Sequence, residues 1–471
     1  MNLLKTITSN SGFVLAEKIV TALTSLCLTI ILARYLGKAN FGDYALILAI
    51  IHFFLMIANT WLEPVAVKEL VKNNYSPVKE KIIGNIALFH ILLALVFAIF
   101  ISLNGSINPA YLVLIVTLLI LNSLISSYKT VFKAFLRMKR YALSKTITNL
   151  VFLAAIILII IIKGNIYSIF TAMIFIHILL LTVLVLSGNK IIKPVFKIDY
   201  RLSKKIFRHS APLALTALFV AFMHRIDQLM LYQIKGSSYL GTYAASVKIA
   251  ESFNIIALAL SASLLPLLSK YHNRQPKRFK SIYRLSFKYL AILIIPLAFL
   301  INLSSREIII NIYGQEFSSA APALNILIFA QIFYFFGMVN RQILVASNKQ
   351  RLDPLFTGVS AGVNIGLNLL LIPRFSFTGA AAATLIAAAA GPILGYFILA
   401  TKDYSQSMFN SSLKPAGISL IIYLFLSWLG LSAFTATISF LAIYIAALIA
   451  FKELSLKNIQ LLKILLTKKT N

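Results

Sequence analysis

Three side chains able to carry charge, His224, Arg225 and Asp227, stand within an apolar run from Ala211 to Ile234. An uncompensated charge at the centre of a membrane helix costs roughly 2.5–3.5 kcal/mol on insertion scales. Helix positions two apart point to different faces, so Arg225 and Asp227 are poorly placed to neutralise each other. His224 and Asp227, at i,i+3, can pair. Arg225 must therefore look to another element or to a polar cavity. Its planar guanidinium suits bidentate recognition of phosphate. Two readings stand: a cavity lined by at least one of the three, or purely structural pairs between helices. The next apolar run carries Lys248 and Glu251, again at i,i+3, which can form a local ion pair or join the first group at similar depth. Asp227, Glu251 and His224 are then the candidates for ion coupling or counter-charge. Arg34, closing the first apolar run, is grouped with Asn59 and Glu63 of the second as an outer vestibule.

Other chemistries lack their residues. There is no G-x-x-x-x-G-K-[ST] loop, no H-E-x-x-H and no D-x-D pair. The single cysteine, Cys27, can form neither an internal disulfide nor a thiolate metal site. His52, His90 and His177 stand singly on apolar runs, where packing or hydrogen bonding is the expected role. No catalytic residue, metal site or cofactor is expected.

The elements that must position these residues are membrane helices. Of 471 residues, 60% are hydrophobic and 12% charged, too few charges for a soluble surface of this size. Fourteen spans are expected, at about 12–33, 44–62, 82–103, 109–128, 146–162, 166–187, 210–234, 244–268, 287–303, 320–345, 354–372, 378–400, 416–430 and 433–451. The first reads as a retained signal anchor, because Glu17 and Lys18 interrupt it and no clear small-residue cleavage site follows. With the N-terminus inside and strict alternation, 34 Lys and Arg fall on inner connections and 6 on outer ones. Such a bias orients the chain and accounts for most of the net charge of +31 without a nucleic-acid partner. Both termini are then cytoplasmic, and inner lysines can meet anionic headgroups.

The first span is followed by GKANFGDYA (37–45) and the seventh by GSSYLGTYA (236–244), both G-x-x-x-x-G-x-Y-A, 199 residues apart. A weaker echo joins AFLRMKRY (134–141) to ASNKQRL (346–352). This repeat predicts an all-α polytopic protein of two six-helix lobes, 1–208 and 209–400, related by a pseudo-two-fold axis along the membrane normal. A C-terminal helix pair and basic tail occupy 401–471. Two such lobes suit alternating access, with a substrate site between them near the midplane. The offset places apolar Leu26, Cys27 and Leu28 opposite Arg225, Ile226 and Asp227, so the charge belongs to one lobe. Gly358, Gly362 and Gly366 form a stripe that would let a second helix approach closely.

The ARYLGKANFGDYA opening (33–45), HRIDQLMLYQIKGSSYLGTYAAS (224–246) and SFTGAAAATL (376–385) resemble polysaccharide-unit flippases of the multidrug/oligosaccharidyl-lipid/polysaccharide (MOP) superfamily. O-antigen transporters, lipid II flippases and MATE exporters belong to that superfamily. The resemblance covers essentially the whole chain. It implies a flippase of the cytoplasmic (inner) membrane that moves a polyprenyl-diphosphate-linked oligosaccharide to the outer leaflet during surface polysaccharide (O-antigen, lipopolysaccharide) biosynthesis. It assigns the diphosphate to cavity cations, here Arg225 and Lys248, and the lipid tail to a groove at the last helix pair. Coupling H⁺ or Na⁺, membrane lipids and a polymerase and chain-length complex are the implied partners. A MATE-like drug or ion exporter is the alternative, although Glu17 is the only acid deep in the first lobe. A membrane polymerase or glycosyltransferase is less favoured, because no outer connection is long.

Overall fold

The computed structural model describes residues 3–72, 75–103, 108–272, 275–400, 406–451 and 453. Helix dominates these residues, and none of them forms a strand. The helices are α1 (Leu3–Lys72), α2 (Ser76–Leu103), α3 (Pro109–Ala134), α4 (Met138–Ile161), α5 (Ile166–Gly188), α6 (Tyr200–Lys235) and α7 (Ser237–Ser252). They continue with α8 (Asn254–Tyr271), α9 (Pro276–Leu303), α10 (Ser305–Tyr313), α11 (Ala321–Ala346), α12 (Asp353–Ala400), α13 (Gln406–Trp428) and α14 (Ala433–Ala450). Among the described residues, 11 helices are long and apolar enough to cross a membrane. Apolar side chains such as Leu95, Ile99 and Phe100 on α2, and Leu158 and Ile161 on α4, remain exposed, as lipid-facing surfaces require. The expected tail at 452–471 lies, Glu453 apart, outside the described residues, as does the 401–405 connection.

Two helices each contain two expected spans. α1 bends at Gly37 (φ 67°, ψ 173°) and α12 at Ser376 (φ 54°, ψ −133°). The expected eighth span is instead broken at Phe253 into α7 and α8. Helix starts follow local chemistry. Asn108 accepts from Ala110 N, with Pro109 opening α3, and Asn165 accepts from Ser168 N at α5. Asp199 accepts from Leu202 N at α6.

By contacts the chain divides into Met1–Gly241 and Thr242–Asn471. In the first unit, α1 packs against α3, α4 and α6. Beyond the Gly37 bend, α1 shares a core of Trp61, Leu62, Ala66 and Leu70 with Ile206 and Ala217 of α6. α6, expected to open the second lobe, falls in the first unit because it lies along α1. In the second unit, α11 packs on α8, α9 and α12, and α13 lies along α9. The C-terminal pair is tied to α9 by Tyr423 Oη donating to Asn302 Oδ1 at 2.8 Å and Tyr444 Oη to the Ile292 carbonyl at 3.1 Å. Glu453, just past α14, accepts from Lys288 Nζ of α9 at 2.6 Å and Lys414 Nζ of α13 at 2.8 Å.

Close helix approach occurs away from the glycine stripe. A Cβ on Gly362 or Gly366 would meet nothing within 4 Å. The second glycines of the repeat are among the tight positions. A Cβ on Gly42 would overlap the Ser237 carbonyl oxygen and lie 2.5 Å from its carbon; one on Gly241 would overlap the Lys38 carbonyl oxygen and lie 3.0 Å from its carbon. Both partners are themselves 199 apart, so the two motifs dock by one contact made twice. The first glycines also match: Gly236 has φ 90° and ψ −179°, close to Gly37. Only glycine takes such a conformation without strain.

Candidate translocation site

Residue phase on α6 explains the central charges. Ala217, Ala221, Gln228 and Leu231 are buried and recur at the three-to-four-residue spacing of one packed face. Phe222, beside it, meets the Phe53 ring of α1 edge-on at 5.3 Å. Arg225 and Asp227 flank this face on opposite sides. Arg225 and His224 are half-buried, whereas Asp227 is only 4% exposed. Gln228 N donates to Asp227 Oδ1 at 2.8 Å. The two charges thus diverge, as their i,i+2 spacing requires. In the second unit, Lys248 and Glu251 are half-buried in the last turns of α7, just before the break at Phe253.

The vestibule expected from Arg34, Asn59 and Glu63 is not assembled. Arg34 precedes the Gly37 bend, while Asn59 and Glu63 lie some 22–26 residues beyond it, roughly 33–39 Å along the second limb. α3 measures the same separation: Tyr111 Oη, in its first turn, donates to Asp43 at 3.3 Å, whereas Lys133, in its last, meets Glu63 at 2.7 Å. Glu63 is therefore at the end of the unit opposite the bend. It is buried and accepts from Lys129 Nζ as well, at 3.1 Å. Asn59 Oδ1 accepts from Ser126 Oγ in the same α1–α3 seam. Glu69 and Lys205 make a further pair at 2.7 Å between α1 and α6.

The isolated histidines have the packed role expected of them where bonds are seen. His90, fully buried, bonds Ser127 Oγ at 3.1 Å and the Ala58 carbonyl at 3.3 Å. His177 Nδ1 lies 2.8 Å from the Met173 carbonyl. No group of three His, Cys, Asp or Glu able to hold a metal occurs among the described residues.

Two polar features escaped the sequence reading. Asp43, inside the first repeat motif, accepts from Ser237 Oγ of the second at 2.5 Å. Thr242 stands at the equivalent position of the second motif, and that departure from the repeat was the available signal. Asn364 and Asn368 are fully buried on α12, with Asn368 Nδ2 donating to Asn364 Oδ1 at 2.9 Å. Their i,i+4 spacing on an apolar span was equally visible.

Comparison with known proteins agrees with this architecture. The Polysaccharide biosynthesis protein family matches residues 7–272, and the MatE family residues 212–370. An uncharacterized membrane protein of Methanocaldococcus jannaschii is 22% identical over 289 residues, 59% of this chain and 55% of that protein. The probable low-salt glycan biosynthesis flippase Agl15 of Haloferax volcanii is 25% identical over 238 residues, 49% of this chain and 50% of its own length. The chain thus spans about half the length of these curated relatives. The inward closed structure of the lipid II flippase MurJ superposes with a TM-score of 0.75 at 16% identity, covering 93% of this chain and 98% of that one. An inward-facing MATE transporter of the MOP superfamily gives 0.59 at 13% identity, covering 81% and 94%. A multi-pass helical membrane protein with the fold of the MOP superfamily, the chain belongs to the Polysaccharide biosynthesis protein family.

Proposed function

We propose that the protein is a flippase for a polyprenyl-diphosphate-linked oligosaccharide, working by alternating access in the cytoplasmic membrane. The observation that carries this reading is the half-buried Arg225, held on α6 about 18 Å from the glycine crossing at Ser237. A cation at that depth suits a diphosphate that must cross hydrocarbon while its lipid tail stays in the bilayer. The glycine crossing supports alternation: at Gly42 and Gly241 two helices meet backbone to backbone, with the Ser237–Asp43 hydrogen bond beside the contact. Lys248 is the second proposed phosphate partner. Asp227, Glu251 and His224 are the proposed sites for a coupling H⁺ or Na⁺. The relation to a glycan biosynthesis flippase favours surface polysaccharide units as cargo, O-antigen units being one example. A polymerase and chain-length complex would receive the flipped product.

The MatE match over residues 212–370 supports a second reading, a drug or ion exporter on the same fold. One assay separates them. In vesicles holding lipid-linked glycan, the wild type should expose the glycan on the opposite leaflet. Arg225→Ala should slow this by about 10–100-fold, the worth of a lost charge-assisted hydrogen bond of ~1.5–3 kcal/mol. Unchanged flipping by both Arg225→Ala and Asp227→Ala would sink the site assignment. Export of a cationic dye with no glycan flipping would favour the exporter.

A further inference from the structure

The connection between α5 and α6 is non-helical over residues 192–199, turns tightly where Lys197 N donates to the Val195 carbonyl at 2.9 Å, and is fastened along α2. Val195 N donates to the Glu80 carbonyl at 3.2 Å. Asn85 works on both sides: its Nδ2 donates to the Lys197 carbonyl at 3.1 Å, and its Oδ1 accepts from Asp199 N and Ser203 Oγ, each at 3.0 Å. A Cβ on Gly84 would overlap the Val195 carbonyl oxygen, so the strap lies as near to α2 as backbone can. Asp199 is the one acid between residues 188 and 209, and it is occupied by Leu202 N and by Lys81 at 3.5 Å.

The side chains this strap turns outward are of two kinds. Lys193, Lys197 and Arg201 are exposed cations. Between them Phe196, Ile198 and Tyr200 are exposed by 56%, 74% and 73%. Lys204 Nζ stands 5.9 Å from the Tyr200 ring centroid, joining the two kinds. Water alone is a poor neighbour for this mixture. The seam between lipid headgroups and acyl chains takes both, the rings and Ile198 in the acyl boundary and the cations among phosphates. Its place fits, because the strap crosses α2 at Glu80–Asn85, where the polar first turns of that helix give way to its apolar run.

We propose that the 192–204 strap is a docking surface for anionic phospholipid headgroups. Net positive charge selects headgroup sign, and the clamp to Asn85 holds the cations in one place without a bound lipid.

The test uses the full-length protein in vesicles with a fluorescent thiol label at Ile198→Cys in a Cys27→Ser background. Brominated phosphatidylglycerol and brominated phosphatidylcholine are compared at equal mole fraction. The glycerol lipid should quench at least ~2-fold more strongly, and raising salt should erase that excess. Replacing Lys193, Lys197, Arg201 and Lys204 by Gln should erase it too, whereas the same change at Lys277, Arg278, Lys280 and Arg284 should not. Equal quenching by both lipids overturns the proposal. Absence of quenching overturns it in favour of a strap facing water, as a protein partner would need. Should the fourfold variant fail to insert, the salt arm decides alone: a preference that persists at high salt is not electrostatic docking.

Discussion

The glycine crossing makes a prediction whose size can be worked out. Gly42→Ala places a carbon 2.5 Å from the Ser237 carbonyl carbon. Carbon atoms prefer about 3.5–4.0 Å, so the overlap is about 1 Å. The obstacle is backbone on a neighbouring helix and cannot swing aside as a side chain could. Overpacking of this kind costs about 1–3 kcal/mol, and the upper half of that range applies. Alanine returns up to ~1 kcal/mol of helix propensity, leaving a net loss of about 1–2 kcal/mol. Gly362→Ala gains the propensity and meets nothing within 4 Å, so it should be neutral or stabilising. Gly241→Ala should resemble Gly42→Ala, because it overlaps the Lys38 carbonyl in the same way. Once one alanine has spread the helices, the second adds little, so the double variant should lose far less than twice the single cost. Half-inactivation temperatures of the purified variants in detergent, at one heating rate, give the ranking. If Gly42→Ala melted with Gly362→Ala, or if the double variant lost the full sum, the crossing would not be the contact described.

Further outcomes follow from the ion pairs and the strap. Asn85→Ala should free the strap and raise the rate of tryptic cleavage after Lys197 by about 5–10-fold, the worth of a net hydrogen bond or more; an unchanged cleavage rate there would count against the clamp. Glu63→Gln should cost about 1–2 kcal/mol in thermal stability, limited by the 31% and 49% exposure that lets Lys129 and Lys133 reach water; Glu307→Gln, at an exposed position, serves as the comparison. Burial pushes the Glu453 carboxyl up, but the ammonium groups of Lys288 and Lys414 outweigh it and hold the group below the usual carboxylate range. A lowered folded-state value means stability present above the unfolded value of about 4.3 and lost as pH falls through the folded one. Acid should therefore loosen the α13–α14 pair from α9, and Glu453→Gln should be weaker at neutral pH and show less of that acid loss. Melting curves from pH 7 down to pH 3 would show it.

The membrane helices were legible because their signal is local: each apolar run carries its own length, and Gly37 and Gly236 announce bends that only glycine takes. The repeat was legible for the same reason. What the repeat did was hidden, since the docking of Gly42 on Ser237 joins residues 195 apart and no periodicity encodes it. The 358–362–366 stripe shows the converse, a spacing that permits close approach without a neighbour at Gly362 or Gly366 to use it. Glu63 was placed at the wrong end of its unit although strict alternation from an inside N-terminus already puts the far end of the second span on the inner side. Its lysines on α3 hold it at that end. The divergence of Arg225 and Asp227 was readable from helix geometry alone. Asn85 gave no warning of the strap, because an asparagine in the third turn of a helix looks like any other.

The two fastenings of α6 differ in kind. Near its start, Lys205 is held by Glu69 and Ser203 by Asn85; past its end, Ser237 rests backbone to backbone on a glycine and donates one hydrogen bond, to Asp43. If the glycine contact, the Ser237–Asp43 bond and the packing of α6 on α1 part together, α6 becomes a cantilever with its root near residue 205. The length to Arg225 is then roughly 30 Å and to Ser237 roughly 48 Å. Leverage alone would carry Arg225 through roughly 0.6 of any displacement at the tip. The cation would move whenever the far end opens, with no separate motor.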